Sequence, residues 1–409
     1  MPSAAQVPNR RWFTVSVFGF GLASFLSDMG HEAATAALPT LLLTLGAAPA
    51  ALGIIEGLAD GLSSFAKLFG GWIADQPRRR KPIAALGYLV TGLAQGVYAL
   101  ATVWPHVLAA RSAAWIARGL RGPARNAMLA DSVPAEARGR AFGLHRAMDT
   151  AGAVAGPLLA TLLIGTVALR HVFVWAMVPG VMAAIAFAIL VKPDGTTATI
   201  DPQPFWRSLA ALPPRFRGFL AAVFVFGLGD FARTLLILRA ATVLTPEVGA
   251  DRAAATAMLL YVVHNVVYAA ASYPVGWVAD RVRPERLLVL GYAIGVATAV
   301  MAAIAVPALW FLVTLFVLGG LTLAFEDTLE GTVTAHQVPS SLRGTGYGAL
   351  ATTNGVGDLL SSSLVGVLWS VAGPEVAFGS AALLALAGTV SLGVSTRRTT
   401  NAPTDAKGG

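Results

Sequence analysis

The chain repeats itself. Gly71-Trp72-Ile73-Ala74-Asp75 returns as Gly276-Trp277-Val278-Ala279-Asp280, position 71 to position 276, a shift of 205. Outward from that stretch the register holds. Val133-Pro134 with Arg138-Gly139 returns as Val338-Pro339 with Arg343-Gly344, Phe142-Gly143 as Tyr347-Gly348, Asp149 falls on Asn354 and Gly152 on Gly357. One displacement kept across so long a stretch means two copies of one structural unit, each about half of the 409 residues.

The two copies sit in an apolar chain. Hydrophobic residues are 56% and charged residues 12%, about half the charged share of an ordinary soluble protein, and mean hydropathy is +0.68. The bilayer is the solvent such a chain suits. Two parallel halves in a membrane chain suggest a carrier with its site between them. There is no cysteine, so disulfides and thiolate metal sites are excluded. Met1 to Arg11 is short and polar with no cleavage pattern, so the first apolar segment is expected to remain as a span. The net charge of +8 does not point to nucleic acid, because the basic residues lie in short loops between apolar runs.

Segments of roughly 20 apolar residues can cross the hydrocarbon. Twelve are expected, at 12–45, 51–75, 82–104, 106–129, 139–166, 169–192, 217–245, 253–279, 286–306, 308–332, 343–371 and 375–396. The expected division is a six-helix bundle over 1–192, a central loop over 193–216, a second bundle over 217–396 and a disordered tail over 397–409. Phe205-Trp206 beside Arg207 suits a short interfacial helix in the loop. Basic residues then fall on one side: Arg10 and Arg11, Arg78 to Lys81, Arg138 and Arg140, the central loop, Arg281, Arg283 and Arg286, Arg343, and Arg397 and Arg398. Arg170 and Arg252 are the main exceptions. The bias places both termini in the cytoplasm and the protein in the inner (plasma) membrane.

The segment Gly71-Trp72-Ile73-Ala74-Asp75-Gln76-Pro77-Arg78-Arg79-Arg80 resembles the signature loop of the major facilitator superfamily: Gly, three residues, Asp, a variable pair, then Gly-Arg-Arg/Lys. Arg78 stands in place of the usual glycine, and the second copy begins at Gly276 and runs to Asp280 and Arg281. The resemblance covers essentially the whole chain. It implies an all-α fold of twelve transmembrane helices in two pseudo-symmetric six-helix bundles, alternating access, and usually a monomer. Asp75 and the cluster Arg78, Arg79 and Arg80 would form a cytoplasmic latch, with Asp131 at the end of span four as a partner. Two more patterns bear on direction. Gly152-x-x-x-Gly156-Pro157-x-x-Ala160-Thr161 resembles the antiporter motif, with its last two glycines replaced, and implies export. Arg118-Gly119-Leu120-Arg121-Gly122-Pro123-Ala124 resembles a pattern whose arginine is tied to proton transfer, with Arg121 where glutamine is usual.

Ionisable groups at membrane depth are expensive and mark functional sites. Asp28, His31 and Glu32 share one face of span one by their i, i+3, i+4 spacing. Three readings are open: a proton or substrate coupling site, a divalent-metal site, or a fixed salt bridge to an arginine of span four. Arg118, near mid-span, must face a cavity or a carboxylate. In span two Glu56 lies near the non-cytoplasmic mouth, where water can reach it, and Asp60 lies deeper. Asp230 and Arg233 in span seven are spaced for an intrahelical pair. The repeat maps Arg121 onto Glu326 and Arg125 onto Glu330, which suggests a cytoplasmic gate of opposite charges. No Gly-x-x-x-x-Gly-Lys-Ser/Thr run occurs. No cofactor is therefore expected, and the energy source is a proton gradient. The reading is a non-enzymatic secondary transporter, a proton-coupled exporter of a small molecule. An uptake symporter or uniporter, and a metal exporter using Asp28, His31 and Glu32, are the alternatives.

Overall fold

A computed structural model describes residues 13–74, 77–134, 138–192, 205–279, 281–339 and 342–400. Those residues are helical nearly throughout. In the first half they form α1 (Val15–Thr44), α2 (Pro49–Ala74), α3 (Pro77–Val97), α4 (Trp104–Asp131), α5 (Arg138–Ile164) and α6 (Leu169–Leu190). A short α7 (Phe205–Ala210) lies in the central loop, as the aromatic pair suggested. The second half holds α8 (Pro214–Gly227), α9 (Arg233–Val248), α10 (Ala250–Ala279), α11 (Pro284–Ala303), α12 (Leu309–Gln337), α13 (Arg343–Ala372) and α14 (Pro374–Thr400). In hydrocarbon each backbone polar group must be satisfied within its own segment, which is why the spans are helices. Gly249 (φ +80°) and Gly373 (φ +91°) end α9 and α13, allowing tight reversals into α10 and α14.

Eight of these helices are long and apolar enough to cross a membrane by composition alone. Three more, α1, α2 and α4, run 30, 26 and 28 residues but carry inward-facing charge that lowers their apolarity. The twelfth span is α8 and α9 together. Here the structure corrects the sequence reading: span seven is not one helix over 217–245 but breaks at residues 228–232. Gly229 sits so close to α14 that an added Cβ would strike the Ala381 carbonyl oxygen. Across the break, Ala232 N donates to Ser362 Oγ at 3.0 Å, which satisfies an amide the helix no longer does. Asp230 lies within the break and Arg233 is the first residue of α9, so the two do not share one helical turn as the spacing suggested. Arg239 of α9 donates to the carbonyls of Ala302 and Ala303 at 3.0 and 3.1 Å and so closes the end of α11.

The repeat is visible in which helices touch. In the first half α1 packs on α5 and α6, α4 on α2 and α3, and α3 on α6. In the second half α8 packs on α13 and α14, α12 on α10 and α11, and α11 on α14. The two halves therefore use the same pairings. They meet along α2 against α13 and, equivalently, α5 against α10. Gly53, Gly57 and Gly61 recur every fourth residue on the face of α2 that meets α13; a Cβ on Gly57 would lie 2.6 Å from the Leu359 carbonyl oxygen. Small residues at that interval let two helix backbones approach closely in lipid.

Candidate functional site

The polarity of the interior divides the molecule along its long axis. At the end far from the termini one apolar cluster joins both halves, with Leu38, Leu41, Ile55, Leu236, Met258 and Trp369 among its buried members. Toward the end where α1 begins and α14 ends, the halves enclose a cavity of about 650 Å³. Its mouth carries Lys67, Arg146, Asp327 and Tyr347, all exposed. This conformation is thus open on the terminal side and closed on the other.

Span one contributes two of its three ionisable residues to the cavity. Asp28 is 4% exposed, and its Oδ1 lies 2.9 Å from Arg118 Nη1 of α4. The two atoms are close enough for an ion pair, yet neither makes an aligned hydrogen bond with any partner. Arg118, whose side chain is 28% exposed, lines the cavity as well. Glu32 Oε2 accepts from the hydroxyl of Tyr261 on α10 at 2.8 Å, a contact between the halves. His31 turns away: its ring lies 4.3 Å from that of Trp115, buried between α1 and α4. The triad expected from spacing is therefore not assembled around one point, since a residue three along and a residue four along diverge around the helix. Among the described residues no group of three His, Cys, Asp or Glu side chains is placed to hold a metal ion, so the divalent-metal alternative loses its ligand set.

A second carboxylate–arginine pair corrects the reading of Glu56. It is not at a wet mouth. Its Oε2 accepts from Arg111 Nη2 at 2.7 Å and Arg111 Nε at 3.1 Å, with both side chains at 3% exposure or less. Arg111 also donates to Thr35 Oγ1 at 3.3 Å and stacks 4.1 Å from the Trp115 ring centre. Asp60 accepts from Trp115 Nε1 at 2.6 Å. Sequence reasoning missed Arg111. The available signal was that a carboxylate at depth needs a cation, and α4 supplies arginines one and two turns apart.

The terminal-side pairs are mixed. Arg80 donates to Asp131 Oδ2 at 2.7 Å, the partnership expected for Asp131, while Arg79 is exposed. Asp75 and Asp280 lie outside the described residues, as do the side chain of Arg78 and the surroundings of Gly71. Gly276 faces α12, with Thr328 Cγ2 3.4 Å from where its Cβ would be. The proposed gate pairs are not formed in this conformation. Arg121 is buried, donating to Ser27 Oγ at 2.9 Å with its guanidinium 4.0 Å over the Tyr88 ring. Arg125 donates to Ser24 Oγ at 3.1 Å. Across the cavity Glu330 accepts from Tyr292 at 2.5 Å and Asn354 at 2.6 Å, and Glu326 lines the cavity wall. Equivalence in the repeat puts residues on matching helices but does not turn them toward each other. A different bridge joins the halves: Arg146 Nη2 donates to Tyr268 at 2.7 Å, and Tyr268 donates to Asp327 Oδ2 at 2.7 Å.

The Gly152, Gly156 and Pro157 segment packs α5 on α1 beside Asp28 and Glu32. A Cβ on Gly156 would lie 2.5 Å from the Met29 carbonyl oxygen and 2.8 Å from Glu32 Cβ. Proline has no N–H, so Pro157 leaves the Ala153 carbonyl four residues back without its helical partner. Asn265 Nδ2 of α10 donates to that oxygen at 2.9 Å. The motif thus provides both a close helix contact and a hydrogen bond across the interface.

Comparison with known proteins agrees with this architecture. The chain is 28% identical over 386 residues to an uncharacterized MFS-type transporter of Methanocaldococcus jannaschii, covering 92% of this chain and 94% of that one. A crystal structure of a bacterial homolog of the human lysosomal transporter Spinster, inward-facing and occupied, superposes with a TM-score of 0.74 at 16% identity, covering 95% of this chain and 98% of that chain. The nucleoside transporter NupG gives 0.74 at 13% identity, over 94% and 99%. The model of the Major Facilitator Superfamily matches residues 20–247 and 219–409. The chain belongs to the major facilitator superfamily, and it is a multi-pass membrane transport protein of the secondary type, not an enzyme.

Proposed function

We propose that the protein exports a small molecule in exchange for protons, by alternating access, from a cytoplasm that holds both termini. The observation that carries this reading is the Asp28–Arg118 pair. It lies on the wall of the central cavity, at 2.9 Å, with the hydrogen-bonding capacity of both facing atoms unspent. A carboxylate whose contact with its arginine lacks aligned hydrogen bonds, on the wall of an open cavity, is suited to exchange that arginine for a proton. Proton uptake at Asp28 would free Arg118 and favour release of substrate; proton loss would restore the pair. Glu32, bonded to Tyr261 across the interface, would pass the change to the second half. The export direction rests on the span-five motif. Its freed Ala153 carbonyl, held by Asn265, gives a contact between α5 and α10 that can break as the halves rock. Arg146, Tyr268 and Asp327 would keep the halves in contact at the cytoplasmic mouth while the cavity is open, with Arg80 and Asp131 as latch.

Proteoliposomes containing a pH-sensitive dye test this. With an imposed substrate gradient, the wild type should move protons opposite to the substrate, and Asp28→Asn should abolish the proton movement. Substrate flux without protons in the wild type, or an indifferent Asp28→Asn, removes antiport and its assignment to span one.

A further inference from the structure

The two walls of the cavity differ in charge. On the first-half wall Lys67, Arg118 and Arg146 are matched by Asp28, Glu32 and Asp149. They also pair among themselves: Arg118 with Asp28 at 2.9 Å and Arg146 with Asp149 at 3.8 Å. On the second-half wall, among the described residues, Asp230, Glu326, Asp327, Glu330 and Asp358 face the cavity against Arg233 alone. Two of those carboxylates are held by neutral donors. Glu330 takes Tyr292 and Asn354, and Asp327 takes Tyr268, with Arg146 of the other wall 3.9 Å from the same Asp327 oxygen. Neutral donors orient a carboxylate without cancelling its charge. Asp358, midway along α13, lines the cavity and makes no hydrogen bond or ion pair with any described residue. On the other side of the same space, Asp28 Oδ1 is buried without a hydrogen bond.

We infer that this cavity takes an organic cation, a protonated amine or amidine, seated against the α12–α13 wall. The inference rests on the reading of the cavity as the transport site and adds the class of substrate. A wall of carboxylates lining a cleft concentrates positive charge and disfavours anions. Tyr261, Tyr268 and Tyr347 line the same space, and aromatic faces add to the attraction for a cation. A volume of about 650 Å³ suits a drug-sized molecule. A bare divalent ion fits less well, because no three ligating side chains converge among the described residues.

Purified full-length protein in detergent, with no proton gradient, gives the test. Benzamidine, benzamide and benzoate share one shape and differ in charge; tetraphenylphosphonium and spermidine extend the cations in size. Equilibrium binding and thermal unfolding are read together. Cations from this set should bind and raise the unfolding temperature, while benzamide and benzoate should not. Asp358→Asn and Glu326→Gln should each weaken cation binding about tenfold, the equivalent of one lost charge contact, and Asp358→Glu should retain it. If one neutral variant does not fold to a monodisperse species, the other is read. Binding of benzoate or benzamide as tight as that of benzamidine, no binding by any of the three cations, or unchanged cation affinity in a folded neutral variant overturns the proposal. Because no proton movement is measured, cation binding can stand while antiport fails, and the reverse.

Discussion

Helix α4 holds two arginines two turns apart, and each meets a carboxylate in a different way. Arg111 grips Glu56 through Nη2 and Nε at 2.7 and 3.1 Å, is braced by Thr35 and Trp115, and is sealed from solvent. Arg118 meets Asp28 at 2.9 Å through atoms that are not aligned for hydrogen bonding, on the wall of a cavity. The first pair lies toward the closed end, beside the apolar cluster that joins the halves. The second lies where the halves part. The lesson is that membrane depth does not separate structural charge from functional charge. What separates them is whether the partner's hydrogen bonds are complete and whether a ligand can reach them.

Four substitutions press on that contrast. The largest effect is expected from Glu56→Gln, which strands Arg111 in the interior. Removing one partner of a buried pair costs about 3–5 kcal/mol, so its detergent unfolding temperature should fall far below that of Asp28→Asn. Equal falls in the two would erase the distinction. Next is Asn265→Val, which leaves the Ala153 carbonyl without its donor, at about 1–3 kcal/mol. Adding Pro157→Ala returns an N–H to that carbonyl, so the double variant should recover part of the loss; strict additivity in the cycle would mean the two residues do not act on one oxygen. Asp28→Asn should cost less than about 1 kcal/mol, because the arginine it releases can turn into a wet cavity, while proton-coupled flux disappears. The smallest effect on transport belongs to Thr35→Val, which removes a single side contact to Arg111 worth about 0.5–1.5 kcal/mol of stability and should leave transport rates as they are. A transport defect in Thr35→Val would place the Arg111 pair in the moving machinery after all.

Much of this was readable without coordinates. The repeated Gly-Trp-x-Ala-Asp stretch and the one-sided basic loops set the number of spans, because a missed helix would have scattered the charges. The Asp28–Arg118 pair was legible as one option, since a carboxylate at depth in span one needs a cation and span four carries several. The grip of Arg111 on Glu56 was not. Hydropathy places Glu56 near one end of α2, but burial there depends on α4 and α9 closing over it. The break after Gly227 was hidden for a similar reason: residues 219–244 are apolar enough to read as one span despite Asp230, Arg233 and Arg239, and only the approach of α14 and the Ser362 hydroxyl makes the interruption stable.

The amino-acid order by itself determined twelve spans, their duplication, and which residues carry charge into the membrane. These follow from short-range rules: an apolar stretch of sufficient length must be helical in lipid, and loop charge orients it. Tertiary structure alone decided which charges meet. It turned His31 to Trp115 and away from its neighbours, drew Arg121 to Ser27 instead of Glu326, and divided the cavity into a balanced wall and an acidic one. Side chains one residue apart on a helix point about 100° apart, so the rotation of each helix against its neighbours, set by packing, chooses the partners.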